Sequence, residues 1–157
     1  MNLGLTLRAS RLVHAPRPLV WQVFSDLTAW PAWNSLCRRE APRGALEKGA
    51  HLELWLKPLG LPIMVRAEVV EAIPGQAVGW RGRAWGITSE QRYTFGDQGP
   101  HTLVGFDESL SGWALLLARP LYSPRRLSQQ AQAWLQALAH QAEAASRGGQ
   151  PGAPGWA

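Results

Sequence analysis

At 157 residues, 46% of them hydrophobic, the chain has the length of one domain and enough apolar sequence for a sizeable core. No run reaches the ~20 apolar residues of a membrane-spanning helix, and the lone Cys37 excludes an internal disulfide. The net charge of +5 rests on sixteen cations, fourteen of them arginine, spread as Arg38-Arg39, Arg81/Arg83 and Arg125-Arg126 with no nucleic-acid motif beside them.

A solvated basic surface is therefore expected, with no nucleic-acid partner. The abundance of Ala, Gly and Pro, with Arg over Lys, reads as genome composition. The opening Met1–Ser10 lacks the basic start and apolar stretch of a secretory signal, which makes a cytoplasmic location the expectation. No nucleophile motif accompanies Cys37, so it is read as a small packing side chain.

Residues 3–14 predict a first strand, with Leu3, Leu5 and Leu7 alternating at its start. Pro16 and Pro18 fit the first turn of a helix, where a missing N–H costs nothing. Leu19, Val20, Val23, Phe24 and Leu27 then fall at helical spacing. A second short helix is expected over 29–33, with Thr28 as its cap and Pro31 in its first turn.

From Leu36 the period changes. Leu52, Leu54 and Leu56 alternate with His51, Glu53, Trp55 and Lys57, a half-exposed strand that Pro58–Pro62 breaks; Trp55 is expected on its outer face. Val65, Ala67 and Val69 make the next strand, stopped by Pro74-Gly75. Val78, Trp80 and Gly82 share a face of a third, a turn is expected around Arg83–Gly86, and Gln91, Tyr93 and Phe95 share a face of a fourth over 87–95. Gly96–Pro100 predicts a hairpin loop and 102–110 the last strand, with Val104, Phe106, Glu108 and Leu110 on one face. Gly112-Trp113 opens a helical segment interrupted by Pro120 and Pro124. A long helix over about 123–145 carries the stripe Leu127, Ala131, Trp134, Leu135, Leu138 and Ala142, and the Gly/Pro-rich 147–157 reads as a disordered tail after a domain over 1–146.

This order resembles the START-like, SRPBCC superfamily, and within it the bacterial polyketide cyclase/dehydrase-type proteins. The residues that carry the likeness are Ala15-Pro16 with Val20-Trp21, Asp26, Trp30-Pro31-Ala32-Trp33-Asn34, Gly44–Gly49, Glu71–Pro74, Val78-Gly79-Trp80, Glu90–Phe95, Thr102, Glu108 and Gly112. The resemblance implies an α+β helix-grip fold: a curved antiparallel sheet of six to seven strands around a long C-terminal helix, with two short helices after the first strand. It also implies an apolar cavity between sheet and helix that takes a lipid-, polyketide- or aromatic-like molecule. Where many relatives carry His, this chain has Gln91.

The expected lining is Trp30, Trp33, Leu54, Leu56, Val65, Ala67, Val69, Trp80, Gln91, Tyr93, Phe106, Glu108, Trp113 and Leu117. Trp21 and Trp134 read as core anchors, while Trp30, Trp33, Trp80 and Trp113 fit either core or pocket. Glu108 has two readings: inside the cavity with a polar partner, or in solvent beyond the end of its strand. His14, His51, His101 and His140 have no metal-ligand spacing, and neither a metal nor another cofactor is expected. Three functions follow, in order: a non-catalytic carrier or sensor of a hydrophobic molecule, a cyclase/aromatase-like enzyme in which Glu108 or Tyr93 moves protons, and a co-chaperone-like protein-binding module. Association into a homodimer through Trp55 is compatible with each.

Overall fold

The computed structural model describes residues 4–34, 37, 42–56, 63–120 and 122–148, without the side chains of Trp55, Leu56 and Ile63. The expected faces of Trp55 and Leu56 therefore lie outside the described residues, as do the last nine positions of the tail.

Alternating apolar residues produce the strands. β1 (Leu5–Val13), β2 (His51–Leu56), β3 (Ile63–Ile73), β4 (Ala77–Ala84), β5 (Ile87–Gln98) and β6 (His101–Ser111) form one six-stranded antiparallel sheet in the order β1-β6-β5-β4-β3-β2. Two-residue turns join β4 to β5 and β5 to β6, so the expected loop at Gly96–Pro100 is shorter, with only Gly99-Pro100 outside the strands. The β3–β4 register shifts between Val69 and Glu71, a bulge that adds local twist and helps the sheet curve.

The helices fill the concave side. In α1 (Arg17–Ser25) Pro18 lies in the first turn, and Val20 and Phe24 are buried. Thr102, fully buried, donates its hydroxyl to the Ala15 carbonyl at 2.8 Å and so ties the start of β6 to the entry of α1. A 3-10 turn over Leu27–Ala29 leads into α2 (Trp30–Trp33). Thr28 does not cap α2: it lies inside the 3-10 turn and donates to Asp26 Oδ1 at 2.6 Å. After α3 (Ala114–Ala118), α4 runs over Pro124–Gly148, two residues into the stretch read as tail. Its whole predicted stripe is buried against the sheet and α1.

Phe24 is the hub of the interior. Its ring centroid lies 5.8 Å from Trp21, 5.5 Å from Trp30, 5.1 Å from Tyr93 and Phe95, and 5.7 Å from Trp134. Such offset and edge-on pairs add to the gain from area burial. The Trp30 indole N–H, which would be costly to bury unpaired, donates to the Phe24 carbonyl at 2.7 Å. This cluster closes one end of the space between sheet and α4. The other end stays open.

Candidate functional site

Period-2 alternation and antiparallel register together build the site. Trp80 on β4 stands opposite Gln91 on β5, and Gln91 stands opposite Glu108 on β6, so three side chains form one row across three strands. The row is hydrogen-bonded along its length. Trp80 Nε1 donates to Gln91 Oε1 at 3.1 Å, and Gln91 Nε2 donates to Glu108 Oε1 at 3.0 Å. Ser89, one inward position along β5, donates its hydroxyl to the same Glu108 oxygen at 3.1 Å. Among the described residues nothing donates to Oε2.

These three polar side chains sit in a mostly apolar cavity of about 180 Å³. The sheet contributes Leu54, Val65, Ala67, Trp80, Tyr93 and Phe106 to its wall; the helical side contributes Trp30, Leu127, Ala131 and Trp134. An apolar cavity of about 150 Å³ is enough to take benzene. The space as folded therefore suits a molecule of one or two rings. Tyr93 lies within it between Phe106, at 4.9 Å, and Trp134, at 5.0 Å, tilted against both.

Burial pushes the Glu108 carboxyl above its ordinary range, and the hydrogen bonds from Gln91 and Ser89 pull it part of the way back. Burial also holds the Tyr93 phenol well above its usual value, and the nearby Glu108 charge adds to the effect. Tyr122 is raised for the same two reasons. The Glu108 site thus favours a held proton or a donor brought by a ligand. Among the described residues no cation neutralises it: their ion pairs lie elsewhere, at Arg8–Asp107, Arg17–Asp97, Arg81–Glu90 and Arg92–Glu71.

Of the residues expected from sequence, Trp30, Leu54, Val65, Ala67, Trp80, Gln91, Tyr93, Phe106 and Glu108 line the cavity together. Val69 does not: it is fully buried as the cross-strand partner of Trp80, and only the longer indole of that pair reaches the cavity. Trp33 stands behind the wall, tilted against Trp30 at 6.1 Å and edge-on to Trp134 at 5.7 Å. Trp113 and Leu117 are solvent-exposed, because α3 turns its one buried side chain, Leu115, toward the protein. Ser89, Tyr122, Gln130 and Trp134 line the cavity without having been expected there. Alternation from Gln91 was the available signal for Ser89, and one helical turn back from Trp134 for Gln130.

Cys37 is buried, its thiol pushed up to about 11 by burial, which leaves little thiolate to react. His14 and His101 meet edge to face at 4.6 Å. Among the described residues no three His, Cys, Asp or Glu side chains gather as a metal would require, and no helix is long and apolar enough to cross a membrane.

The family model for polyketide cyclase / dehydrase and lipid transport matches residues 5–143. The fold is similar to that of the Zhui aromatase/cyclase from Streptomyces, with a TM-score of 0.75 at 14% identity over 89% of this chain and 94% of that one. A protein from Thermus thermophilus gives a TM-score of 0.73 at 17% identity over 90% and 99%. A START superfamily protein from Mycobacterium smegmatis gives 0.66 at 19% identity over 90% and 97%. No curated protein matches the chain in sequence. At these identities the solved structures bear on the fold alone.

Proposed function

Because the chain belongs to the polyketide cyclase / dehydrase and lipid transport family, we propose that it holds a hydrophobic small molecule in the aromatic cavity, as carrier or sensor. The START-like helix-grip fold supplies the room. The observation that carries the proposal is the Trp80–Gln91–Glu108 row: an apolar chamber with one fixed acceptor inside it. Affinity comes from burying apolar area, at about 25 cal/mol per Å² less the cost of ordering. Orientation comes from Glu108, whose free oxygen accepts a hydroxyl or amine proton of the ligand. The favoured occupant is a compact, ring-bearing molecule with one hydrogen-bond donor.

Three naphthalene probes test this by quenching of tryptophan fluorescence. 2-Naphthol should bind saturably and more tightly than 2-methoxynaphthalene, which lacks the donor, and 2-naphthoate should bind least because its charge would lose water in a chamber where no described residue offers a cation. Equal affinity for all three, or no saturable binding, would sink the proposal.

A second function has one observation in its favour. Glu108 and Tyr93 both hold protons more tightly than usual and line the same chamber, as a cyclase handling a polyketide-like chain would need. A bell-shaped pH–rate profile on a model poly-β-ketone, lost in Tyr93→Phe and Glu108→Gln, would place it first. The protein-binding module, expected to pair an exposed apolar patch with a chamber filled by its own side chains, stands third, because this chamber is open.

A further inference from the structure

The corner where the cavity opens carries features that ligand binding does not use. A small satellite core of Leu110, Leu115 and Leu127, with Ile87 and Tyr122 packed on it, draws together the start of β5, the end of β6, α3 and the start of α4. The Trp113 ring lies over Gly86 so closely that a Cβ there would sit 2.7 Å from it. Trp85 and Trp113 are thereby neighbours on the same rim.

This rim is apolar and exposed. Trp85 is 73% exposed, Trp113 68% and Leu117 79%, with Leu116 beside them. Spacing at 113, 116 and 117 sets three of the four on one face of α3, opposite the buried Leu115. Trp85 is also the one described non-glycine residue with positive φ, at 50°, in a two-residue turn whose second member, Gly86, has φ 76°. Such turns favour Asn-Gly, and a bulky side chain there is unfavourable. A non-glycine residue held in such a position points to a role beyond packing.

The charge around the rim is one-sided. No acidic residue occurs from Ser109 to Ala142 or from Gly82 to Ser89. Arg83, Arg119, Arg125 and Arg126 in these stretches are exposed, and no ion pair among the described residues engages them. Exposed arginines elsewhere, such as Arg8 and Arg92, do have carboxylate partners.

We propose that this rim docks on an anionic lipid surface. Trp85, Trp113, Leu116 and Leu117 would enter the headgroup–acyl boundary, while the four arginines meet phosphates. Indoles and leucines beside arginines match that boundary, where aromatic side chains sit at headgroup level and cations meet anionic lipid. Trp85, Ile87 and Tyr122 also line the cavity, so an apolar ligand passes between membrane and chamber with little exposure to water.

Co-sedimentation of the full chain with two kinds of vesicle tests this, one of phosphatidylcholine and one about one third phosphatidylglycerol. The anionic vesicles should bind the protein, with a blue shift of tryptophan emission, and the neutral ones should not. Trp85→Asn, which the turn accepts, and Leu117→Asp should each weaken binding about tenfold. Arg125→Glu with Arg126→Glu should weaken it by roughly fivefold or more per charge. Equal partition to both vesicles overturns the proposal. So does binding that ignores Trp85→Asn combined with Leu117→Asp, or a dimer that Leu117→Asp dissolves in a protein that ignores vesicles. Far-UV circular dichroism and the melting temperature show which variants are folded, and the naphthol titration of the parent protein is an independent readout: its failure in a vesicle-binding protein would count against the ligand and not against the docking rim.

Discussion

Gln91 donates to Glu108 at 3.0 Å while accepting from Trp80 at 3.1 Å, so one amide stands between an indole and a carboxylate. Its orientation is fixed by chemistry: the oxygen must face the N–H of Trp80, and the nitrogen must face the carboxylate. Replacing it with Leu strips a partner from each side. Gln91→Leu should destabilise the protein by about 2 kcal/mol in urea unfolding, since two buried polar groups lose a bond. Adding Glu108→Leu should recover part of that loss, because the carboxylate that lacked its donor is gone. Simple addition of the two effects would mean the row is not coupled.

The raised Glu108 carboxyl makes a signed prediction for pH. The folded state keeps the Glu108 proton at pH values where the unfolded chain, titrating near the ordinary ~4.3, has already lost it. The unfolded state then binds fewer protons, so this group's contribution to stability falls as pH rises from the ordinary glutamate range to the raised folded value, and is flat above it. Glu108→Gln removes the dependence. The melting temperature of the variant relative to the parent should climb across that window and then level off. A difference that is constant or falls with pH would show that the carboxyl is not raised.

Much of the fold could be read from the sequence, because alternation and helical stripes report burial directly. The inward faces of β4, β5 and β6 and the stripe of α4 all came out that way. The site was less legible, for two physical reasons. Trp134 belongs to the α4 stripe, and periodicity shows only that it points inward, not whether its ring meets packed side chains or empty space. Trp113 and Leu117 lie in and beside a helix of five residues, too short for its period to show which side faces the protein. Alternation left Glu108 two places, inside the cavity or in solvent beyond its strand, and its partners were not legible, since the Gln91–Glu108 pair depends on the strand register of a hairpin.

Phe24 should be the least replaceable side chain of the interior. It is fully buried and meets Trp21, Trp30, Tyr93, Phe95 and Trp134, which come from α1, α2, β5 and α4. Phe24→Ala should cost about 3–5 kcal/mol, as for other fully buried rings. Phe24→Leu should cost less but loosen the closed end of the cavity. Chemical denaturation measures the first effect, and a gain in affinity for larger ring systems would report the second. A loss below about 1 kcal/mol for the alanine variant would show that the cluster collapses around the gap.

Ala131 and Ala142 offer a matched pair that separates a real chamber from ordinary packing. Both are buried on the same stripe of α4, but only Ala131 lines the cavity. Ala142 is fully buried within the packed cluster. Adding the branched side chain of Leu at 142 forces neighbours aside and should cost about 1–3 kcal/mol. The same substitution at 131 has empty apolar space to enter, and each buried methylene there is worth about 0.8 kcal/mol. Ala131→Leu should therefore raise the melting temperature while abolishing 2-naphthol binding, and Ala142→Leu should lower it with binding intact in the folded fraction. Opposite signs on one helix face would identify the space as a chamber kept open at some cost to stability, which a purely structural core has no reason to retain.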